Sequence, residues 1–480
     1  MRRAKIVATV GPASESSESL RQLILAGVDV FRVNMSHGKR EQHGEVIKRI
    51  RQAAAEVSKT VAVMIDLSGP KIRTGILRDG TAELADGAEV RITTEEIEGD
   101  ATRFSANYPL LAREVKPGDR ILINDGEIEL EVSSTTDTAV TARVIHGGTL
   151  SNRKGINLPG AQISIPSVTE KDVADLQFGL AAGADIVAQS FVRSAADCQR
   201  ARQLIQQFGG NVQLIAKIEK PQATEDLANI LAATDGVMVA RGDLAVETST
   251  ERVPVLQKMI IAEAMKAEKT VITATQMLQS MIDSPRPTRA EASDVANAVL
   301  DGSDAVMLSG ETAVGRYPVE TVRTMDKIIR ATEEMNAPSI MAFRQTMFGR
   351  HSGSVGRAIS EAAMFAAEEV GSKAIVVITQ SGHMARRMAA LRPRQRVIAL
   401  TTVAESCRQL AVTWGVEPYL LEDCSIESKE LVKSADHALL ELKLAEHGET
   451  VVMMAGRLED AALSLSMKLH TGGDFASTSA

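Results

Sequence analysis

Aromatic side chains account for only 3% of this 480-residue chain, and Trp414 is its single tryptophan. A sizeable core must therefore be aliphatic, and the 44% apolar content can supply it. Cysteine is nearly as scarce. Cys198, Cys407 and Cys424 show no CxxC spacing, which argues against a disulfide framework or a zinc site and fits a reducing cytoplasm. Basic residues are not in excess. The formal net charge is −8, so the footprint of a nucleic-acid or membrane-surface binder is missing, and an anionic ligand would need a local cationic pocket. No window approaches the roughly 18 apolar residues that span a bilayer. The opening MRRAKIVATVGP has too short an apolar run for a secretory signal and reads as a first strand. Also missing are the glycine fingerprint of dinucleotide sites and the Gly-Lys-Ser/Thr phosphate loop.

What is present is a repeated alternation of short β-branched runs with helix-period segments, the mark of a parallel sheet built from βα units. Eight such runs occur: Ile6 to Val10, Val28 to Val33, Val61 to Ile65, Asp185 to Ala188, Leu214 to Ile218, Gly236 to Ala240, Val271 to Ala274 and Ala305 to Leu308. Most are followed at once by polar residues or glycine, among them Asn34, Asp66, Ser190, Glu219 and Thr275. Eight strands with reactive residues at their carboxyl ends predict an α/β fold of the (β/α)₈ TIM-barrel type, with the site on that face. An open doubly wound sheet is the alternative. Between strands three and four, residues 70–154 change to period-two alternation, with Val90 and Ile92, Ile121 and Ile123, and Ile128, Leu130 and Val132. The turn signals KPGD and NDG separate these runs, so a small β-barrel lid domain is expected here, hinged at Ser68 to Pro70 and Gly155 to Gly160. Residues 1–69 and 155–335 would form the barrel, and 336–480 a C-terminal α/β regulatory domain.

Three residues carry the clearest chemistry. In IAKIEK, period-two spacing places Lys217 and Glu219 on one face of an extended segment, and Asp243 closes VMVARGD about one βα unit later. Two carboxylates beside an ammonium suit Mg²⁺, together with a cation that neutralises a moving phosphoryl group or an enolate. Gly242 and Asp243 open a short helix whose N–H groups would suit an anion. Arg32, Asn34 and Ser36 alternate on one face and would share a ligand. TQSG, at Thr379 to Gly382, follows a strand and precedes a helix. It reads either as an anion loop or as an ordinary helix cap at Ser381.

IAKIEK, VMVARGDLAVE, TATQMLQSMI, VNMSHG, KGINLPG and RPTRAEASDVANAVLDGSDAVMLSGETAVGRYP, in that family's order over nearly the whole chain, resemble pyruvate kinases of the bacterial type. The resemblance implies phosphoryl transfer from phosphoenolpyruvate to ADP, giving pyruvate and ATP, in a cytoplasmic, allosteric homotetramer that uses Mg²⁺ or Mn²⁺. It makes Lys217 the residue that stabilises the transferring charge, Glu219 and Asp243 the Mg²⁺ ligands, and Thr275 part of the network that protonates the enolate. Arg32, Lys217, Gly242, Asp243 and Thr275 would bind substrate. Asn34, Ser36, His37, Arg73 and Lys154 would lie near the nucleotide, although a lone histidine such as His37 is commonly structural.

Two departures stand out. Family members that bind K⁺ use Asn, Ser and Asp side chains and a Thr carbonyl beside the glutamate of GPEIR. Here Asn34, Ser36 and Asp66 remain, but Leu67 stands at the Thr position and the motif reads GPKIR, with Lys71 as a cation substitute. K⁺ is therefore expected to be unnecessary. Thr379, Gln380, Ser381 and Gly382 match the family's effector-phosphate loop. The segment AGRLEDAALSL, taken as the loop after the last strand, lacks the Gly, Ser and Thr-rich sequence of a fructose 1,6-bisphosphate site, so a monophosphate such as a phosphosugar or AMP is expected instead. Two other classes remain open at this level. A Mg²⁺-dependent aldolase or lyase of pyruvate-like substrates would need no nucleotide lid, and a non-catalytic sensor would need neither Lys217 nor its carboxylates.

Overall fold

The computed structural model describes residues 2–161, 163–335, 354–421, 428–459 and 462–473. Cys424 and the expected 335/336 domain boundary touch residues outside that set. Each of the eight apolar runs forms a parallel strand: β1 Lys5–Thr9, β2 Val30–Asn34, β3 Ala62–Asp66, β4 Ile186–Gln189, β5 Gln213–Ile218, β6 Gly236–Ala240, β7 Thr270–Ala274 and β8 Ala305–Leu308. They close into a barrel in which β1 pairs with both β2 and β8, which rules out the open doubly wound sheet. Alternation along each strand sorts its side chains. Val7, Val30, Met64, Ile215, Met238 and Ile272 fill the interior, while Ile6, Phe31, Val63, Leu214, Val237 and Val271 pack under the helices. No helix among the described residues is long and apolar enough to cross a membrane.

Between β3 and β4 the alternating residues Val90, Ile92, Ile121, Ile123, Leu130 and Val132 meet in a separate core around the fully buried Phe104. Their strands form a six-stranded sheet with a two-stranded ribbon beside it. The NDG signal works as its chemistry demands. Asn124 and Asp125 both take left-handed φ, at 55° and 57°, and bring Ile123 opposite Ile128. The insertion's last strand, Ile156–Asn157, pairs antiparallel with Arg120–Ile123 and so belongs to this sheet. At the other hinge Gly69 has φ of 64°, and a Cβ there would come within 2.8 Å of the Phe191 ring. Only glycine fits without moving that ring.

The C-terminal region places β9 Ala374–Ile378 at the centre of a five-stranded sheet, between β10 Arg396–Thr401 and β12 Thr450–Glu459. β11 Val416–Leu420 and β13 Ala462–Thr471 are its edges. The described residues of AGRLEDAALSL are therefore strand and not loop. Residues 455–459 belong to β12 and residues 462–465 to β13, which pair antiparallel, with residues 460–461 outside the described set. The period-two pattern of Leu463, Leu465, Met467 and Leu469 is the strand signal, interrupted ahead of it by the acidic pair Glu459 and Asp460.

Ion pairs stitch this region to the barrel. Glu268 bridges Arg357 at 3.3 Å and Arg387 at 3.0 Å, Asp304 meets Arg392 at 3.0 Å, and Asp185 meets Arg408 at 2.7 Å. Trp414 packs into the barrel's aliphatic cluster with the guanidinium of Arg3 5.3 Å from its ring centre and that of Arg392 at 4.5 Å.

Candidate active site

The strand ends deliver one buried charged cluster. The Lys217 Nζ lies 2.8 Å from Glu219 Oε1, donates to Ser190 Oγ at 2.8 Å, and lies 3.4 Å from Asp66 Oδ1. Asp66 Oδ2 accepts from Arg32 Nε at 2.7 Å, and Arg32 Nη1 donates to Thr9 Oγ1 at 3.0 Å. Strands β1 to β5 thus each contribute at or just past their carboxyl ends. Asp243 follows β6 in the helix Arg241–Glu247, and Thr275 follows β7.

Electrostatics sort the carboxylates. Burial alone would raise Asp66, but the charges of Lys217 and Arg32 outweigh it and hold the carboxyl below its usual range. Burial would lower Lys217, yet Asp66, Glu219 and Asp243 together raise it, so the ammonium stays charged. Glu219 goes the other way. Burial, reinforced by Asp243 and opposed by Lys217, raises its carboxyl.

The lone lysine thus leaves negative charge near Glu219 and Asp243 uncompensated. Among the described residues no group of three or more His, Cys, Asp or Glu side chains forms a metal cage. Two carboxylates with room for substrate oxygens fit Mg²⁺, which is usually held by one or two carboxylates plus substrate and water. Because a proton competes for the raised Glu219 carboxylate at higher pH than for an ordinary glutamate, the half-saturating Mg²⁺ concentration is expected to climb as pH falls from neutral into the mildly acid range. Mg²⁺ titrations of activity at several pH values check this, and a flat profile would contradict it.

Other expected residues fall into two groups. Thr275 and Gly242 are joined, because the Gly242 N–H donates to Thr275 Oγ1 at 2.9 Å and is thus engaged rather than bare. Thr275 and Gln276 take left-handed φ, 70° and 53°, uncommon for a β-branched threonine, and Arg241 donates to the Thr275 carbonyl at 2.6 Å. At the mouth, Asn34 Oδ1 accepts from the Ser36 N–H at 3.1 Å. His37 is exposed, its imidazole lowered by partial burial and by the nearby charges of Lys71, Arg73 and Arg32. Lys71 is itself exposed and is not among the partners of Asp66. Arg73 and Lys154 stand side by side at the lid's base, where Arg73 bridges Gly155 and the Thr74 N–H donates to the Lys154 carbonyl at 2.8 Å.

In the C-terminal region the helix His383–Ala390 is capped by Gly382, not Ser381. The Gly382 N–H is taken by Thr379 Oγ1 at 3.0 Å, and the exposed Ser381 accepts from Arg386 through its carbonyl at 3.1 Å.

Residues 1–322 match the family model described as pyruvate kinase, barrel domain, and residues 357–466 match pyruvate kinase, alpha/beta domain. The chain belongs to the pyruvate kinase family. A pyruvate kinase of Mycobacterium tuberculosis is 45% identical over 457 residues, covering 95% of each chain. Pyruvate kinase 2 of Synechocystis is 46% identical over 97% of this chain and 78% of its own. Among solved structures, a pyruvate kinase from Cryptosporidium parvum superposes with a TM-score of 0.91 at 37% identity, covering 98% of this chain and 96% of that one. Neither an aldolase or lyase nor a non-catalytic sensor finds support beside these pyruvate kinase relatives. Within the pyruvate kinase barrel, the sequence reading gives Ser190 as a strand-end residue without a role; its hydroxyl accepts from Lys217 and donates to the Leu67 carbonyl at 2.7 Å. The same reading missed the Phe191 N–H, which donates to Glu219 Oε2 at 3.0 Å from a backbone with φ of 57°. A serine at a strand end is too common to be a signal.

Proposed function

We infer that the chain transfers the phosphoryl group of phosphoenolpyruvate to ADP, giving pyruvate and ATP, with the strand-end cluster as its catalytic centre. The observation that carries the assignment of roles is the Lys217 ammonium, held at the strand ends between Asp66, Glu219 and Ser190. Phosphoryl transfer asks mainly for positioning and charge stabilisation, and a preorganised cation meets that need. Arg32, fixed by Asp66 and Thr9, would hold the phosphate. Lys217 would stabilise the enolate as it forms, and Thr275, too weak an acid alone, would pass a proton to the enolate carbon through water. A Cβ at Gly242 would meet only Thr275, at ordinary contact distance, so the protein itself does not demand glycine there. Close approach of a substrate carboxylate supplies the reason. Glu219 and Asp243 would hold Mg²⁺, or Mn²⁺, which when bound neutralises charge on the transferring group. Arg73 and Lys154, with Asn34, Ser36 and His37, would face the ADP phosphates under a lid of residues 70–154. Pyruvate that appears from phosphoenolpyruvate and Mg²⁺ only when ADP is added tests the reaction. Its release without nucleotide would favour a lyase.

K⁺ independence belongs to the same proposal. The oxygens of a monovalent site are already engaged, Asp66 by Arg32 and Lys217, the Leu67 carbonyl by Ser190, and Asn34 Oδ1 by Ser36. Replacing K⁺ by a bulky ammonium salt is expected to leave the rate little changed, and strong K⁺ activation would refute it.

The C-terminal region, 336–480, would act as the regulatory domain of a cytoplasmic homotetramer. A monophosphate effector at Thr379, Gln380, Ser381 and Gly382 is supported by the Arg386 guanidinium beside that loop. A phosphosugar or AMP is expected to shift a sigmoidal phosphoenolpyruvate curve. A curve unmoved by every such compound would remove the effector.

A further inference from the structure

Outside the catalytic cluster lies a second buried charged group that the reaction has not yet used. Lys220 and Glu247 are 7% and 3% exposed, and the ammonium meets Glu247 Oε1 at 2.5 Å. The same carboxylate oxygen accepts from Asn157 Nδ2 at 2.7 Å. These residues come from three places with different duties. Lys220 follows Glu219 directly, Glu247 ends the helix that carries Gly242 and Asp243, and Asn157 sits on the last strand of the inserted sheet. A further link runs through Phe191. Its ring lies 5.0 Å from the Lys220 ammonium, its N–H binds Glu219 Oε2, and its ring edge rests where Gly69 leaves space at the other lid hinge. Both hinges of the insertion therefore touch the unit that carries Glu219 and Asp243.

We propose that Asn157, Glu247 and Lys220 act as a positioning relay that couples the place of the lid to the geometry of the two metal-binding carboxylates. The proposal rests on the assignment of Glu219 and Asp243 as metal ligands. A buried pair of opposite charges is a poor source of net stability compared with apolar residues of the same size, so its place here calls for another role. A surface-anchored lid would need no such pair. One that must close only over a loaded metal site needs a rigid connection between hinge and ligands, and partners one step behind a metal ligand typically govern affinity or activity about 10–100-fold.

The test uses the full-length protein and direct Mn²⁺ binding read by electron paramagnetic resonance, beside steady-state kinetics and thermal melts. Asn157→Leu removes one hydrogen bond at a half-buried position. It is expected to weaken Mn²⁺ binding and lower kcat by about tenfold each, with KM for phosphoenolpyruvate and the Tm nearly unchanged. The pair Lys220→Met with Glu247→Leu removes both charges together, which keeps the variant from burying an unpaired ion. It should show the same loss, and adding Asn157→Leu to it should cost nothing more. Changes confined to Tm, with Mn²⁺ binding and the kcat to KM pattern as in the unaltered protein, would overturn the relay. Glu219→Gln separates the two levels. If it binds Mn²⁺ as the unaltered protein does, the ligand assignment itself fails, whereas weakened binding there with a silent Asn157→Leu sinks the relay alone.

Discussion

Replacing Lys217 by methionine is expected to cut kcat at least about a hundredfold while the protein stays folded. One preorganised donor aimed at developing charge is worth roughly 3 kcal/mol, and Lys217 is the ammonium at the centre of the cluster. Folding should survive because the remaining charges have outlets. Asp66 keeps Arg32 at 2.7 Å, and Glu219, whose carboxyl is already raised by burial and Asp243, can take a proton. The methionine fills a similar volume without a charge. The loss should sit in kcat, with Mg²⁺ still required through Glu219 and Asp243 but half-saturating at a higher concentration, because a proton competes more strongly for Glu219 once Lys217 is gone. Steady-state pyruvate formation beside a thermal melt checks both halves, and unaltered rates would refute the role of Lys217.

The second large effect concerns Asp66. It is 1% exposed and meets Arg32 and Lys217 at once, so Asp66→Ala takes the carboxylate partner from the buried Arg32, while Lys217 keeps Glu219. Breaking a buried pair by removing one partner costs about 3–5 kcal/mol. For a barrel of this size that corresponds to a Tm lowered by about 10 °C. Activity should fall as well, because Arg32 and Lys217 lose the anchor that sets their direction. The pH dependence has a definite sign. Burial would raise this carboxyl, but Lys217 and Arg32 lower it, so its stabilising contribution is present above the unfolded value and is lost as pH falls through the lower folded one. The Tm gap between Asp66→Ala and the unaltered protein should therefore be widest near neutrality and narrow in acid. A gap that widens in acid would contradict the charge assignment.

Much of this was legible in the residues because strand periodicity does two jobs. The run Leu214 to Ile218 announces a strand by its apolar content, and the same period fixes Lys217 and Glu219 to one side, which the 2.8 Å contact between them bears out. Asp66 was readable as a polar stop after an apolar run, but its ties to Arg32 and Lys217 cross strands far apart in sequence. Other features had no local signature. Phe191 and Thr275 hold left-handed φ, as glycine would, and neither residue type advertises it. The cap of the helix His383–Ala390 went to Gly382 because Thr379 Oγ1 already accepts that glycine's N–H, a contact that the composition of TQSG does not reveal. The final hairpin was hidden differently. Its period-two signal was present, but the acidic sequence at Glu459 and Asp460 made two paired strands read as a strand and a loop.

The scarcity of aromatics leaves a practical gift at the seam between barrel and C-terminal region. Trp414, the chain's single tryptophan, is wedged between the guanidinium groups of Arg3 and Arg392, and Arg3 in turn donates to the carbonyls of Pro393 and Arg394. Light absorbed by tryptophan alone is therefore emitted from one place, and that place is where the two bodies meet. A shift in that emission reads slippage of the seam without any label.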